Sequence, residues 1–418
     1  MRLGRSPNHI PWLILGCVWL VVLFLYILIQ CISPLLPILI VDFELNHFTG
    51  GFLYSLPVLM IALFSYPLGI LSDRIGLEIA VGCGATVAVL SSFLRPFSSN
   101  FYVFVLATAI FGLGFAIIFP NLPKLVKENF PQHLSATATG LYTTAILLGS
   151  GLGMALTKPI LAATGSWRKV LIIWSLIAIP VIVLWWVIAR MSIKRKDGSG
   201  SEVLHKESLQ DRTESPLGDY QDNHYPHPLV SSVVIAGLIL SLLNLIFYST
   251  IGWLPTYLTE RGWDPVSAAT ATSVISFLEI PAVLFVPVLS DRTRRRRLIM
   301  ISSFLLLAIS SVAVSLSPSS IFFISPILGV TFGGIFALLL SLPVELVKKE
   351  KVGRAAGAII SVGYIGALTG APVTGYLRDL TGGFSFGFIA MGFVGLIAAG
   401  LSYMLPEKRL FKRGRPSL

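Results

Sequence analysis

Leu71-Ser72-Asp73-Arg74 recurs as Leu289-Ser290-Asp291-Arg292, an offset of about 218 residues that marks an internal duplication. Leu36-Pro37 falls on Leu254-Pro255 at the same spacing. Farther on, Gly140, Gly149, Gly153, Gly165 and Trp167 line up without gaps on Gly357, Gly366, Gly370, Gly382 and Phe384. Each tetrapeptide lies in a short polar break between long apolar runs. Of the 418 residues 55% are hydrophobic and 12% charged, with a mean hydropathy of +0.82, whereas soluble domains carry about 25% charged residues. A bilayer is the solvent that fits. Runs of roughly 20 apolar residues, the length that crosses the hydrocarbon core, occur near 11–40, 50–72, 78–97, 100–123, 135–162, 167–190, 229–258, 266–290, 297–316, 319–347, 353–377 and 384–405. These are numbered spans 1 to 12. Pro11 to Leu28 has the length of a signal-peptide core, but no small-residue cleavage site precedes a soluble domain, so it reads as the start of span 1.

Between Arg190 and Pro228 the hydrophobicity collapses into the Ser, Asp, Glu, Lys and Pro mixture of a disordered linker. The predicted division is therefore an N-terminal six-helix half over 1–190, a cytoplasmic linker over 191–228 and a C-terminal six-helix half over 229–418. The net charge of +11 raises the question of a nucleic-acid partner, and the positions of the basic residues answer it. Alternating the loops across the membrane puts 25 of the 31 Lys and Arg residues on the side of both termini and the linker. Arg95, Lys158, Arg168, Lys169, Arg261 and Arg378 fall on the other. The basic side is cytoplasmic by the positive-inside rule, and the Arg294 to Arg297 run is expected at anionic lipid headgroups. Membrane lipids, and no nucleic acid, are the partners this pattern implies. Cys17, Cys31 and Cys83 lie inside spans and read as reduced, packed side chains. The six histidines, His9, His47, His133, His205, His224 and His227, read as tail or loop residues. No metal site or other cofactor is expected.

Two parallel repeats along the membrane normal are the pattern of carriers whose halves rock about a central site. The segment Gly69-Ile-Leu-Ser-Asp-Arg-Ile-Gly76 resembles the loop motif of the major facilitator superfamily, Gly-x-Leu-x-Asp-Arg-x-Gly followed by basic residues. It departs from that pattern at Leu77 and Glu78, and the second copy has Pro287 at the first glycine. Within the superfamily the chain is similar to the cyanate and nitroimidazole porter branch through Phe119 to Pro131, Trp253-Leu-Pro-Thr-Tyr-Leu258, Ser361-Val-Gly-Tyr364 and Asp379-Leu-Thr-Gly-Gly383. The resemblance implies the major facilitator fold, an all-α membrane protein of about 12 transmembrane helices in two parallel-repeat six-helix bundles, working as a monomer. It further implies a conformational latch at Asp73, Arg74, Asp291 and Arg292. The glycines of spans 5 and 11, Gly140, Gly149, Gly151, Gly153, Gly363, Gly366, Gly370 and Gly375, are expected to slide against spans 8 and 2. Gly151 is followed by Leu152 rather than proline, which departs from the family's antiporter signature. The nitrate porters hold their anion with arginines inside helices 2 and 8, and neither span has one here.

Polar side chains deep in apolar helices are costly and point to function. Glu279 is the clearest: Thr272, Ser276 and Glu279 share one face of span 8 at spacings of four and three, a stripe that belongs on a cavity. As a coupling residue Glu279 can carry a proton or hold a cationic group of the substrate; as a structural carboxylate it would bond a neighbouring helix. Asn244 and Tyr248 of span 7 map onto Tyr26 and Gln30 of span 1. The resemblance places spans 1, 4, 7 and 10 around the central cavity and makes these four candidate substrate contacts, with interhelical hydrogen bonding as the other reading. Tyr142, Thr144, Ser361 and Tyr364 are further candidates. Lys158 is expected to snorkel to the interface, the other reading being that it faces inward and attracts an anion.

The reading is a secondary active transporter that moves a small polar or anionic solute by alternating access, with protons as a possible co-substrate. Proton-driven efflux of amphipathic drugs is the alternative, and a non-transporting membrane receptor a more distant one. An enzyme is not expected, since no nucleophile and base cluster inside the helices. A phosphate-cradling loop for an ATP-driven pump is absent from the sequence as well.

Overall fold

Among the residues that the computed structural model describes, 10–131, 134–198, 227–347 and 352–405, twelve helices are long and apolar enough to cross a membrane. They are Pro11–Asp42, His47–Ile75, Leu77–Phe97, Phe101–Asn129, Thr137–Thr164, Trp167–Ile193, Ser232–Glu260, Pro265–Thr293, Arg296–Leu316, Pro318–Pro343, Arg354–Thr381 and Ser385–Tyr403. Span 1 is two helices, Ile10–Gln30 and Ile32–Asp42, broken at Cys31, because Pro34 has no amide hydrogen to give the Gln30 carbonyl. The helix of span 6 continues to Gly198 and that of span 7 starts at His227. Residues 191–198, read above as linker, are thus helical, since the stretch from Arg190 to Asp197 holds no proline or glycine. The remainder of the linker, 199–226, lies outside the described residues, as do His9, His133, His205, His224 and the basic residues of both tails.

The duplication is written into the backbone. Gly165 and Gly382, which are repeat equivalents, end spans 5 and 11 with φ of +68° and +75°. Gly76 and Arg294, also equivalents, both take positive φ, +92° and +54°. Glycine enters that region freely, while a side chain there costs roughly 1–2 kcal/mol. Asn100 and Asp264 cap the helices that follow them, accepting from Val103 N at 3.0 Å and from Val266 N and Ser267 N at 3.1 and 3.0 Å.

The chain forms two compact units. The first contains the described residues of Met1–Ile29, Leu59–Gly149 and Thr164–Tyr225. Here span 3 lies on span 4 where Gly84 and Gly114 meet each other's carbonyls, and on span 6 where Gly82 leaves room for Trp185 and Trp186. Trp185 Nε1 donates to the Glu78 carbonyl at 3.1 Å, Trp186 Nε1 to Thr86 Oγ1 at 3.0 Å, and Ser192 Oγ to Glu78 Oε1 at 2.9 Å. Glu78, where the loop motif is usually basic, is therefore buried against span 6. Arg95, expected among the outer loop charges, is wholly buried. Its guanidinium donates to the Leu28 carbonyl at 3.1 Å and covers the Phe111 ring at 4.2 Å, an arrangement that offsets the cost of removing the charge from water.

The second unit contains Gln30–Val58, Ser150–Ala163 and the described residues of Pro226–Leu418. Span 7 packs on span 11, span 8 on span 10 and span 9 on span 12. Gly363, Gly366 and Gly370 bring span 11 against Leu240, Ser241 and Leu245 of span 7, and Ser249 Oγ donates to the Gly370 carbonyl at 2.8 Å. In the first unit Gly149 backs onto the Leu23 carbonyl as Gly366 backs onto that of Ser241, and the two contacts are repeat equivalents. These glycines were expected to slide against spans 8 and 2. They instead hold spans 5 and 11 to spans 1 and 7, because a backbone carbonyl occupies the space a Cβ would need. Gly151, against Phe277 of span 8, and Gly375, against His47 of span 2, do meet the expected neighbours. Gly366→Leu is expected to lower stability by about 3 kcal/mol through overpacking, seen as a fall in Tm in detergent. Gly357→Ala, at a position with open space, should leave Tm unchanged, and equal shifts in both would contradict the packing account.

The segments Gln30–Val58 and Ser150–Ala163 form a clasp with the C-terminal spans. Ser33 Oγ donates to the Ile251 carbonyl at 2.7 Å and the Gly252 carbonyl at 3.0 Å. Ser33 and Ile251 are repeat equivalents, so spans 1 and 7 meet at matching positions. Asp379 of span 11 accepts from His47 N at 3.2 Å and Phe48 N at 3.0 Å, and its carboxylate lies 2.7 Å from His47 Nδ1. It thereby caps the N-terminus of span 2, where a carboxylate is favoured by the helix dipole. The His47 ring is held between Trp253 and Phe384, with centroids at 5.7 and 5.6 Å. His47, read as a loop residue, is a packed member of this clasp.

Candidate functional site

Glu279 stands in the second unit, midway along span 8, where Gly333 of span 10 packs against its backbone. Its side chain is 5% exposed, and Thr272 and Ser276 on the same face are 0% and 1% exposed. The stripe therefore faces protein rather than lipid. Thr272 satisfies its hydroxyl on the Ala268 carbonyl at 2.9 Å. Glu279 Oε1 and Ser276 Oγ, one helical turn apart, have no hydrogen-bond partner among the described residues. Leaving a buried carboxyl oxygen unpaired is costly, so a structural carboxylate bonded to a neighbouring helix does not describe this oxygen. Two residues on, Pro281 leaves the Phe277 carbonyl without its helical donor.

Around Glu279 the second unit gathers a set of aromatic hydroxyls. Tyr54 and Tyr248 both lie within electrostatic reach of the carboxyl group, and Tyr364 within reach of Tyr248. The Tyr54 and Tyr248 rings stand 6.1 Å apart at 53°, and Phe247 sets its edge against Phe332 at 5.2 Å. Tyr54 Oη donates to Gln30 Oε1 at 2.6 Å, and Gln30 Nε2 donates to Ser150 Oγ at 3.5 Å. Asn244 gives its amide to the Gly363 carbonyl at 3.0 Å, so its side chain is engaged between spans 7 and 11. Such a set offers neutral donors, acceptors and aromatic faces around one carboxyl group, and can hold a small polar molecule or pass a proton.

A family profile described as Major Facilitator Superfamily matches residues 18–371 and, in a second alignment, 289–417. The chain belongs to the major facilitator superfamily. Two relatives of this superfamily protein come from Escherichia coli (strain K12). It is 25% identical over 371 residues to the 2-nitroimidazole transporter, covering 88% of each chain. To the cyanate transport protein CynX it is 22% identical over 379 residues, covering 90% of this chain and 93% of that one. Among solved structures, a bacterial homologue of the human lysosomal transporter Spinster, in an inward-facing and unoccupied conformation, superposes with a TM-score of 0.77. That likeness covers 96% of this chain and 98% of the other at 14% identity, and concerns the fold alone. As a major facilitator superfamily protein the chain is a transporter and not an enzyme.

Of the residues singled out in the sequence of this superfamily member, Gln30, Tyr248, Glu279 and Tyr364 lie in one cluster. Tyr26 and Tyr142 stand in the first unit. There the Tyr26 ring meets Phe115 at 5.3 Å, and Tyr142 packs on Leu15, Val126, Phe130 and Ala138. Thr144 accepts from Trp19 Nε1 at 3.0 Å, and Ser361 is exposed. Asp73 and Arg74 are exposed at the end of span 2, with Asp73 paired to Lys124 Nζ at 2.5 Å inside the first unit. Asp291 and Arg292 are exposed at the matching end of span 8. Two expectations change. Lys158 does not snorkel: it is 7% exposed and within electrostatic reach of Asp264, since its face of span 5 is covered by protein. Of the run expected at lipid headgroups, Arg296 bonds Glu345 at 2.7 Å, the Leu338 carbonyl and Ser341. Arg297 bonds the Leu405 carbonyl at 2.6 Å, leaving Arg294 and Arg295 exposed. Tyr54 was missed, although carrying Thr272 back by the repeat offset lands on it.

Proposed function

We propose that this chain is a secondary active transporter of the cell membrane, moving a small polar or anionic solute by alternating access with a proton carried on Glu279. The buried, unpaired Glu279 Oε1 beside Tyr54, Tyr248 and Ser276 is the observation that carries this reading. A carboxyl group so placed has few reasons to persist in an apolar helix other than handling a proton or ligand. Relatives named for cyanate and 2-nitroimidazole support a small anion or polar heterocycle as the transported class. Gln30, Asn244, Tyr248 and Tyr364, with Tyr26 and Tyr142, are the proposed substrate contacts. Asp73, Arg74, Asp291 and Arg292 are the proposed latch. The lysine and arginine distribution supports cytoplasmic termini and a cytoplasmic linker between two six-helix halves, and the protein is proposed to act as a monomer.

The test is proton movement in liposomes that contain the purified protein and a pH-sensitive dye, with cyanate, 2-nitroimidazole and a cationic drug added in turn. Cyanate or 2-nitroimidazole should evoke a signal that a protonophore abolishes. A signal from the cationic drug alone would replace this reading with drug efflux. Uptake of labelled compound without proton movement would make the protein a facilitator.

A further inference from the structure

Spans 1, 2 and 5 each pass from the first unit to the second, at Ile29 and Gln30, at Val58 and Leu59, and at Gly149 and Ser150. A helix breaker or weak helix former stands beside every crossing. Pro34 frees the Gln30 carbonyl, Pro57 frees that of Leu53, and Gly149 and Gly151 flank Ser150. One side chain from each of the three spans joins at this level, in the chain Tyr54 Oη to Gln30 Oε1 at 2.6 Å and Gln30 Nε2 to Ser150 Oγ at 3.5 Å.

Tyr54 has two further neighbours. Its ring stands 6.1 Å from that of Tyr248, in the Glu279 cluster. The same ring lies beneath Gly252, where a Cβ would come within 3.2 Å of it, and the Gly252 carbonyl is one of the two that Ser33 holds in the clasp. Tyr54 thus touches the cluster, the break in span 1 and the clasp at once, and it is 2% exposed. A core so close-packed transmits a displacement rather than absorbing it.

We propose that Tyr54 is a positioning residue that ties the state of the Tyr248 and Glu279 cluster to the bend of span 1 at Gln30, and so to closure of the clasp. This rests on the transport reading for its purpose, but its geometry does not depend on which solute is carried. Cys31, wholly buried beside Gln30, supplies a native reporter: it becomes reachable when the clasp opens.

The experiment measures the rate at which a maleimide labels Cys31 in purified protein carrying Cys17→Ser and Cys83→Ser. Tyr54→Phe keeps the ring and leaves Gln30 Oε1 without its donor, so labelling should rise about 10-fold, the scale of an orphaned buried acceptor. Gln30→Leu acts from the other partner and should raise it similarly. The double variant should label more slowly than either single one, because the short Tyr54 to Gln30 bond is then removed from both ends and only the long 3.5 Å bond to Ser150 Oγ is lost on one side. Glu279→Gln should alter labelling when Tyr54 is present and have no effect in Tyr54→Phe. Additive effects of Tyr54→Phe and Gln30→Leu, or an effect of Glu279→Gln that is absent from the Tyr54 protein or survives in Tyr54→Phe, would overturn the proposal. The dye assay on the same proteins reads transport separately, so a failed substrate assignment leaves the labelling result intact.

Discussion

In liposomes with an imposed proton gradient, Glu279→Gln should lower solute accumulation by about 100-fold, the scale on which losing a proton-handling side chain acts. Glutamine has the shape of glutamic acid and places a carbonyl oxygen where the carboxyl group stood, but it neither takes up nor releases a proton. Exchange of labelled for unlabelled solute, which needs no net proton movement, should survive. Folding should survive too, because a buried neutral amide is less costly than a buried carboxylate; Tm is expected to hold or rise. Measuring accumulation, exchange and Tm on one preparation separates the roles. Loss of both accumulation and exchange with an unchanged Tm would make Glu279 a substrate contact instead of a coupling residue. Wild-type accumulation in the variant would leave the carboxyl group no part in transport.

The duplication was legible because an offset of about 218 residues survives in loops, prolines and glycines whose backbone geometry tolerates few substitutes. Gly165 and Gly382 align in sequence and both adopt positive φ. The span count was legible because crossing a bilayer fixes length and polarity together. What faces what within the membrane was less so. A glycine face says only that something approaches closely, and Gly366 against the Ser241 carbonyl looks in sequence the same as a glycine against a sliding neighbour. Charges near helix ends were also ambiguous. Glu78 opens the predicted span 3 and Arg95 lies two residues from its end, yet Phe111 and the Leu28 carbonyl claim Arg95 and Ser192 claims Glu78. In the candidate site, Glu279 stood out because a carboxylate deep in an apolar helix is costly, and it shares a face with Thr272 and Ser276. Tyr54 did not, because a tyrosine inside an apolar helix is ordinary until its hydroxyl is found on Gln30.

The second large effect is expected at Gly51, where span 2 meets span 11 in the clasp. A Cβ there would lie 2.6 Å from the Ala371 carbonyl carbon and 2.8 Å from Pro372 N, both backbone atoms that no rotamer change can move. Nor is the Ala371 peptide free to retreat, since its oxygen accepts Trp253 Nε1 at 2.7 Å and Trp253 is packed on Phe384 at 5.0 Å. Gly51→Leu therefore penalises the clasped arrangement by about 3 kcal/mol, which corresponds to a shift of more than 100-fold in its population. A carrier that cannot close one end cannot complete a cycle, so transport should fall by at least about 10-fold while the protein remains folded. Labelling of Cys31, wholly buried at the break in span 1, should rise in parallel. Gly140→Ala, a helix glycine with nothing within 4 Å, is the matched control and should transport like the wild type. Should Gly51→Leu transport normally with Cys31 still protected, span 2 must repack around the new side chain, and close approach of the two backbones would not be what closes this end of the carrier.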